Sequence, residues 1–190
     1  MIKNVMFVFA ALGLVALSAC SHKHHKHEES STETAEAAVT GPSHAQAVLK
    51  SAKGHKIKGT IHFTQNDHMM KIDTMVDGLK PGPHGFHIHE TGDCSKADFT
   101  SAGGHFNPDK TPHGSTSGDK RHAGDMGNLT ADRKGKAHTS LEIHGMTMKD
   151  GPSSIIGKAV IIHADPDDLK SQPVGNAGAR VACGIIEAMQ

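Results

Sequence analysis

Between Ala45 and Met189 the chain is cut into short segments of β character bounded by Gly, Pro, Asp or Asn: AQAVLKSA, HKIKGTIHFTQ, HMMKIDTMVDGL, HGFHIHE, KAHTSLEIHG, SSIIGKAVIIHA and ARVACGIIEAM. Several alternate at period two. Ile72, Thr74 and Val76 fall on one face of an extended strand, with Lys71, Asp73 and Met75 on the other. No stretch is read as a helix. The spacing predicts an all-β sandwich or flattened barrel of about eight strands, immunoglobulin-like in its layering. Two segments break the rhythm, residues 90–127 and 164–178. Both exceed ordinary hairpin connections, and long ordered loops on a β scaffold are where function concentrates.

At 190 residues the chain accommodates one such domain and additional segments. Lys plus Arg equals Asp plus Glu at 20 each, so net charge points to neither nucleic acid nor an acidic surface as partner. The N-terminus carries Lys3, an apolar run over 5–17, and small residues before Cys20. That is a secretory signal over 1–20, too short for a comfortable membrane span, and its end resembles a lipobox in which Cys20 becomes a lipid-modified first residue. The chain is therefore expected to be exported to the periplasm or cell envelope and anchored to a membrane. Residues 21–44 read as a polar tether; within it His22, His24, His25 and His27 form either an accessory metal-binding tract or a solvated linker. With Cys20 set aside, Cys94 and Cys183 are the cysteines that remain, and two in an exported protein read as one disulfide.

The unusual number is 17 histidines. His87, His89, His105, His113, His122 and Asp125 lie within the stretch from His84 to Asp125, and His163 follows far downstream in AVIIHADPDDL. His87 and His89, two apart on an extended segment, project from the same face while Phe86 and Ile88 project from the other and anchor the pair. His113, His122 and Asp125 sit among Gly, Pro, Ser and Asp residues with little core of their own, so a bound cation would order them. Imidazoles plus one carboxylate suit a structural Zn²⁺, and His105 is the nearest further nitrogen.

These residues carry a resemblance. GFHIHE, SAGGHFNP, the spacing of His105, His113, His122 and Asp125, GDMGNLTAD and GNAGARVACGII, in this order over about residues 45–188, are similar to the copper/zinc superoxide dismutases. The N-terminus and the position of Cys94 resemble an exported bacterial, lipoprotein-like form. The resemblance implies a Greek-key barrel over 45–190, with copper on His87, His89, His105 and His163, and zinc on His105, His113, His122 and Asp125. His105 is then shared. It further implies a Cys94–Cys183 disulfide, Arg180 at the active-site rim, Asp167 as a bridge between His87 and His113, and superoxide as substrate. Lys170 is a weaker candidate for steering it. With no Trp or Tyr as interface anchor, monomer and homodimer both stay open. The rival reading is a copper-holding or copper-delivering protein without turnover, based on His68, Met69, Met70, His144, Met146 and Met148, because thioether sulfur suits Cu(I).

Overall fold

The computed structural model describes residues 41–118 and 120–190, so Cys20 and His22, His24, His25 and His27 lie outside the described residues. Among the described residues nine strands are present: β1 His44–Val48, β2 Lys50–Ser51, β3 Lys58–Asn66, β4 Met69–Asp77, β5 Gly82–His89, β6 Asp125–Ala131, β7 Lys136–Ile143, β8 Ala159–His163 and β9 Arg180–Ala188. Eight form one antiparallel path in the order β6-β5-β8-β9-β1-β3-β4-β7, while the two-residue β2 extends β1 along β9. The expected eight-stranded Greek-key barrel is observed, nearly closed, since β6 and β7 end the path and are joined by the tight turn between them. Among the described residues the helical content is one 3₁₀ turn, Thr100–Ala102.

Period-two patterning builds the interior. On β4, Ile72, Thr74 and Val76 are buried as expected, whereas Met75 is 50% exposed. The Thr74 hydroxyl, the one polar group of that row, meets the carbonyls of Ala137 and Thr139. Phe86 and Ile88 of β5 join the main core with Phe63, Leu129, Ile155 and Ile162. Three of the four methionines that suggested copper storage are spent there too: Met70, Met146 and Met148 are buried core side chains, so their sulfurs serve packing, while Met69 is only partly buried.

Two expected boundaries need correction. The first long loop ends at Gly124 rather than residue 127, because Asp125–Ala131 is a strand paired with β5. Gly127, at φ 76°, breaks its alternation, and the register shifts between Gly85 and His87, as a bulge does. Within SSIIGKAVIIHA the strand starts only at Ala159; Ile155 is fully buried without belonging to it.

Candidate metal centre

His87 and His89 lie on β5 with their rings on the face opposite Phe86 and Ile88, buried beneath the long loops. The segment after the 3₁₀ turn runs back along this strand. Phe106 N donates to Ile88 O at 2.8 Å and Glu90 N to Gly104 O at 3.0 Å, which sets His105 opposite His89. His163 ends β8 at a second bulge, paired with Arg180. His113 and His122 come from the first loop, and Asp125 opens β6. At Gly85 of β5 there is no room for a side chain, since a Cβ would stand 2.6 Å from Ala177 Cβ and 3.2 Å from His87 Cε1.

Two groups result. One ligand atom from each of His87, His89, His105 and His163 falls within 4.8 Å of the others, and the same holds for His105, His113, His122 and Asp125. All seven residues are buried, and His105 stands in both groups. The second group closes around the carboxylate: His105 Nδ1 is 2.7 Å from Asp125 Oδ1, His113 Nδ1 3.0 Å from Oδ2 and His122 Nδ1 3.3 Å from Oδ1. Backbone N–H groups of Gly114 and His122 also donate to Oδ2.

In the first group the other ring nitrogen of each histidine is committed. His87 Nε2 donates to Asp167 Oδ2 at 2.8 Å, His89 Nδ1 to Gly103 O at 2.9 Å and His163 Nδ1 to Gly178 O at 3.1 Å. Because carbonyls and carboxylates only accept, these contacts fix the tautomers. The lone pairs of His87 Nδ1, His89 Nε2 and His163 Nε2 then face the cluster. These atoms, together with His105 Nε2, are buried without a hydrogen-bond partner. Four orphaned imidazole nitrogens converging on one point make a cation site in chemical terms, since each would otherwise bear an uncompensated desolvation cost.

A family model described as copper/zinc superoxide dismutase (SODC) matches residues 57–186. The chain belongs to this family. It is 43% identical over 164 residues to the extracellular Cu-Zn superoxide dismutase of Brugia pahangi, a span of 82% of this chain and 81% of that one. Among solved structures, the crystal structure of the clock protein EA4 matches with a TM-score of 0.72 at 40% identity, covering 79% of this chain and 97% of that chain. As a copper/zinc superoxide dismutase the chain is an enzyme acting on superoxide, with copper and zinc as cofactors. The two groups fit those ions: copper accepts an all-imidazole set, and three imidazoles with one carboxylate match structural zinc.

The other expected residues fall around these groups. Asp167 bridges His87 and His113, its Oδ1 standing 2.9 Å from His113 Nε2. The Cys94–Cys183 disulfide is present, with a Cα–Cα distance of 5.8 Å. Arg180 donates to Phe99 O at 2.7 Å and Gly103 O at 2.6 Å, so it is tied to the carbonyl that also holds His89. Lys170 is exposed on the second loop and contributes no side-chain contact among those described. Three contributors escaped sequence reading. Asn128 pairs its side-chain amide with both peptide groups of Asp167, at 2.9 and 2.8 Å. Gln172 does the same to His113, at 2.9 Å in each direction. Arg121 grips the His122–Asp125 turn. Only Asn128 lay inside a motif, GDMGNLTAD, that could have flagged it.

Burial tunes the protein for acid sensitivity when no metal is bound. It pushes His87 down to about 4 against the pull of Asp167, and His163 to about 3, aided by the nearby His87. Burial also takes His89 well below the ordinary value. An unfolded chain takes up those protons near pH 6.5. Below that pH the unfolded state binds more protons, so stability falls as pH falls, by about 1.4 kcal/mol per pH unit for each such proton. Burial would raise Asp125 and Asp167. Hydrogen bonds from His105 to Asp125 and from His87 and Leu169 to Asp167 outweigh it, and both carboxyls lie below the usual range. Their contribution is therefore lost at still lower pH. We expect the thermal midpoint of the metal-free protein to fall steadily between pH 7 and pH 4; a flat profile would contradict these assignments.

Proposed function

We propose that His87, His89, His105 and His163 hold copper, that His105, His113, His122 and Asp125 hold zinc, and that the His105 ring joins the two. The observation that carries this reading is the convergence of four orphaned nitrogens on one side of His105, with a carboxylate-centred group on the other. Bound copper supplies a one-electron couple through which two superoxide anions and two protons become O₂ and H₂O₂. The fully loaded chain should consume many superoxide anions per copper. One-for-one consumption would favour storage or delivery of copper instead.

The chain's own groups bind the substrate, hold the proton and fix the rings. Arg180 presents a guanidinium anchored on two carbonyls, a fixed cation for a small anion. His105 keeps Nδ1 against Asp125 while Nε2 faces the copper-side group, so Nε2 is the atom at which a proton can be held and passed to product. Asp167 orients His87 and His113 and locks their tautomers. Lys170 adds a weaker pull on the anion, opposed by the exposed carboxylates Asp165 and Asp168. Arg180→Ala should slow turnover and flatten its dependence on salt, because screening acts on the removed charge. An unchanged rate at low ionic strength would remove Arg180 from substrate guidance.

Residues 1–20 serve, in this reading, as a lipoprotein signal ending at Cys20, residues 21–44 as a histidine-rich tether and residues 45–190 as the catalytic domain. The enzyme then protects the periplasm or cell envelope from oxidative damage while anchored to a membrane, as an exported bacterial form would. The extracellular description of the Brugia pahangi relative supports export. Cys20→Ala should shift the protein from the membrane fraction to the soluble fraction; an unaltered distribution would exclude the anchor. Val48, 63% exposed, and Ile185 flank the groove beside the Cys94–Cys183 disulfide, the face a second copy would cover in a homodimer.

A further inference from the structure

Arg121 is a half-buried guanidinium that makes no ion pair among the described residues. Its hydrogen bonds go instead to main-chain carbonyls. Nη1 donates to His122 O at 2.8 Å, Ala123 O at 3.1 Å and Asp125 O at 3.3 Å, and Nη2 donates to His144 O at 2.5 Å. Three of these four acceptors belong to the tight turn that ends the first long loop and is closed by Asp125 N donating to His122 O at 3.1 Å. The fourth follows β7, a strand of the barrel. The Arg121 carbonyl itself accepts the Thr111 hydroxyl at 2.5 Å, which ties the turn to the segment leading to His113.

This arrangement has an electrostatic cost. Burial disfavours the Arg121 charge, and the cation stands beside a centre that must accept a divalent metal. The nearby Asp125 charge offsets part of this cost, and the carbonyl dipoles that meet the guanidinium directly contribute only by being held in convergence. The convergence is therefore what the guanidinium enforces, and its planar, many-donor geometry suits that task in a way that a lysine ammonium does not.

We infer that Arg121 is a positioning residue for the zinc site: by clamping the carbonyls of the 122–125 turn to the end of β7, it holds His122 and Asp125 at the separation at which both ligate one ion. The inference rests on the reading of those two residues as zinc ligands. It concerns how the loop is held before and after metal enters, and it assigns Arg121 no contact with substrate.

The test uses the full chain loaded with copper and zinc, and the rate at which a chromogenic chelator withdraws zinc at pH 7. Arg121→Gln should release zinc about tenfold faster than the unsubstituted protein, as loss of a contact supporting a ligand does. Arg121→Lys, which keeps charge but not the fork, should fall between the two. In protein carrying Co²⁺ in place of zinc, the visible ligand-field bands should shift and weaken in Arg121→Gln, a signature that a general loss of stability would not produce. If Arg121→Gln does not accumulate folded, the lysine variant decides by the same two readings. Release at the unsubstituted rate with unaltered cobalt bands overturns the inference. Asp125→Ala, measured alongside, separates the two levels: zinc loss from Asp125→Ala with none from the Arg121 variants overturns only the positioning role, whereas zinc retained normally by Asp125→Ala overturns the ligand reading and this inference with it.

Discussion

Replacing His163 by alanine should abolish superoxide turnover, a larger loss than the roughly 10–100-fold typical of removing a group that merely supports a ligand, while zinc stays bound at one ion per chain. His163 Nε2 is one of four buried nitrogens without a partner on the copper side. The other three come from β5 and the segment paired with it, and among the described residues no further His, Cys, Asp or Glu belongs to that group. The zinc-side group contains no atom of His163. The substitution also spares the strand end, because His84 Nδ1 donates to the His163 main-chain carbonyl at 2.8 Å, a contact that alanine retains. Metal analysis of the purified variant, with a superoxide assay on the same sample, measures both halves. Turnover at the unsubstituted rate, or zinc lost in step with copper, would contradict the division of ligands.

Removing the disulfide should have the largest effect on stability. Cys94 and Cys183 are 89 residues apart in sequence, and cross-linking a loop of that size contributes about 4–5 kcal/mol in the chain-entropy model. For a domain of this length that corresponds to a fall of roughly 10–20 °C in the thermal midpoint. Activity should fall as well. Cys183 is buried on β9 among Phe99, Ala102, Ala159 and Ile161, and the loop fastened by Cys94 supplies the Phe99 and Gly103 carbonyls that fix Arg180. Freeing the loop loosens the guanidinium and the Gly103 bond to His89 together. Thermal melts and turnover of the Cys94→Ser/Cys183→Ser double variant test this. A midpoint within about 3 °C of the unsubstituted protein would show that the barrel holds the loop without the cross-link.

The residues of the two buried groups were legible in the sequence because their chemistry and spacing coincide. His87 and His89 obey strand alternation, and a run of Gly, Pro and Ser has little reason to be ordered around His113 and His122 unless something holds it. The strand bearing Asp125 was harder to read. Gly127 takes a positive φ and Asn128 interrupts the apolar pattern, so DMGNLTA lacks the period by which strands are recognised. Ile155 and Ile156 misled in the opposite sense: they look like the start of a strand, yet Gly157, at φ 74°, turns the chain before Ala159. The supports of the site were least accessible. Asn128, Gln172 and Arg121 act on peptide groups of residues 39, 59 and up to 23 positions away. A side chain that completes another segment's backbone hydrogen bonds leaves no periodicity in its own neighbourhood, and only the folded chain reveals its partner.

In the proposed arrangement one imidazole ring, that of His105, is the ligand common to two metal sites, which Asp167 also links through His87 and His113. Copper and zinc contents of the loaded His105→Ala chain, counted after gel filtration beside His89→Ala and His122→Ala, test it most directly. We expect His89→Ala to lose copper alone, His122→Ala to lose zinc alone and His105→Ala to lose both. Retention of either metal at full occupancy by His105→Ala would contradict a shared ring.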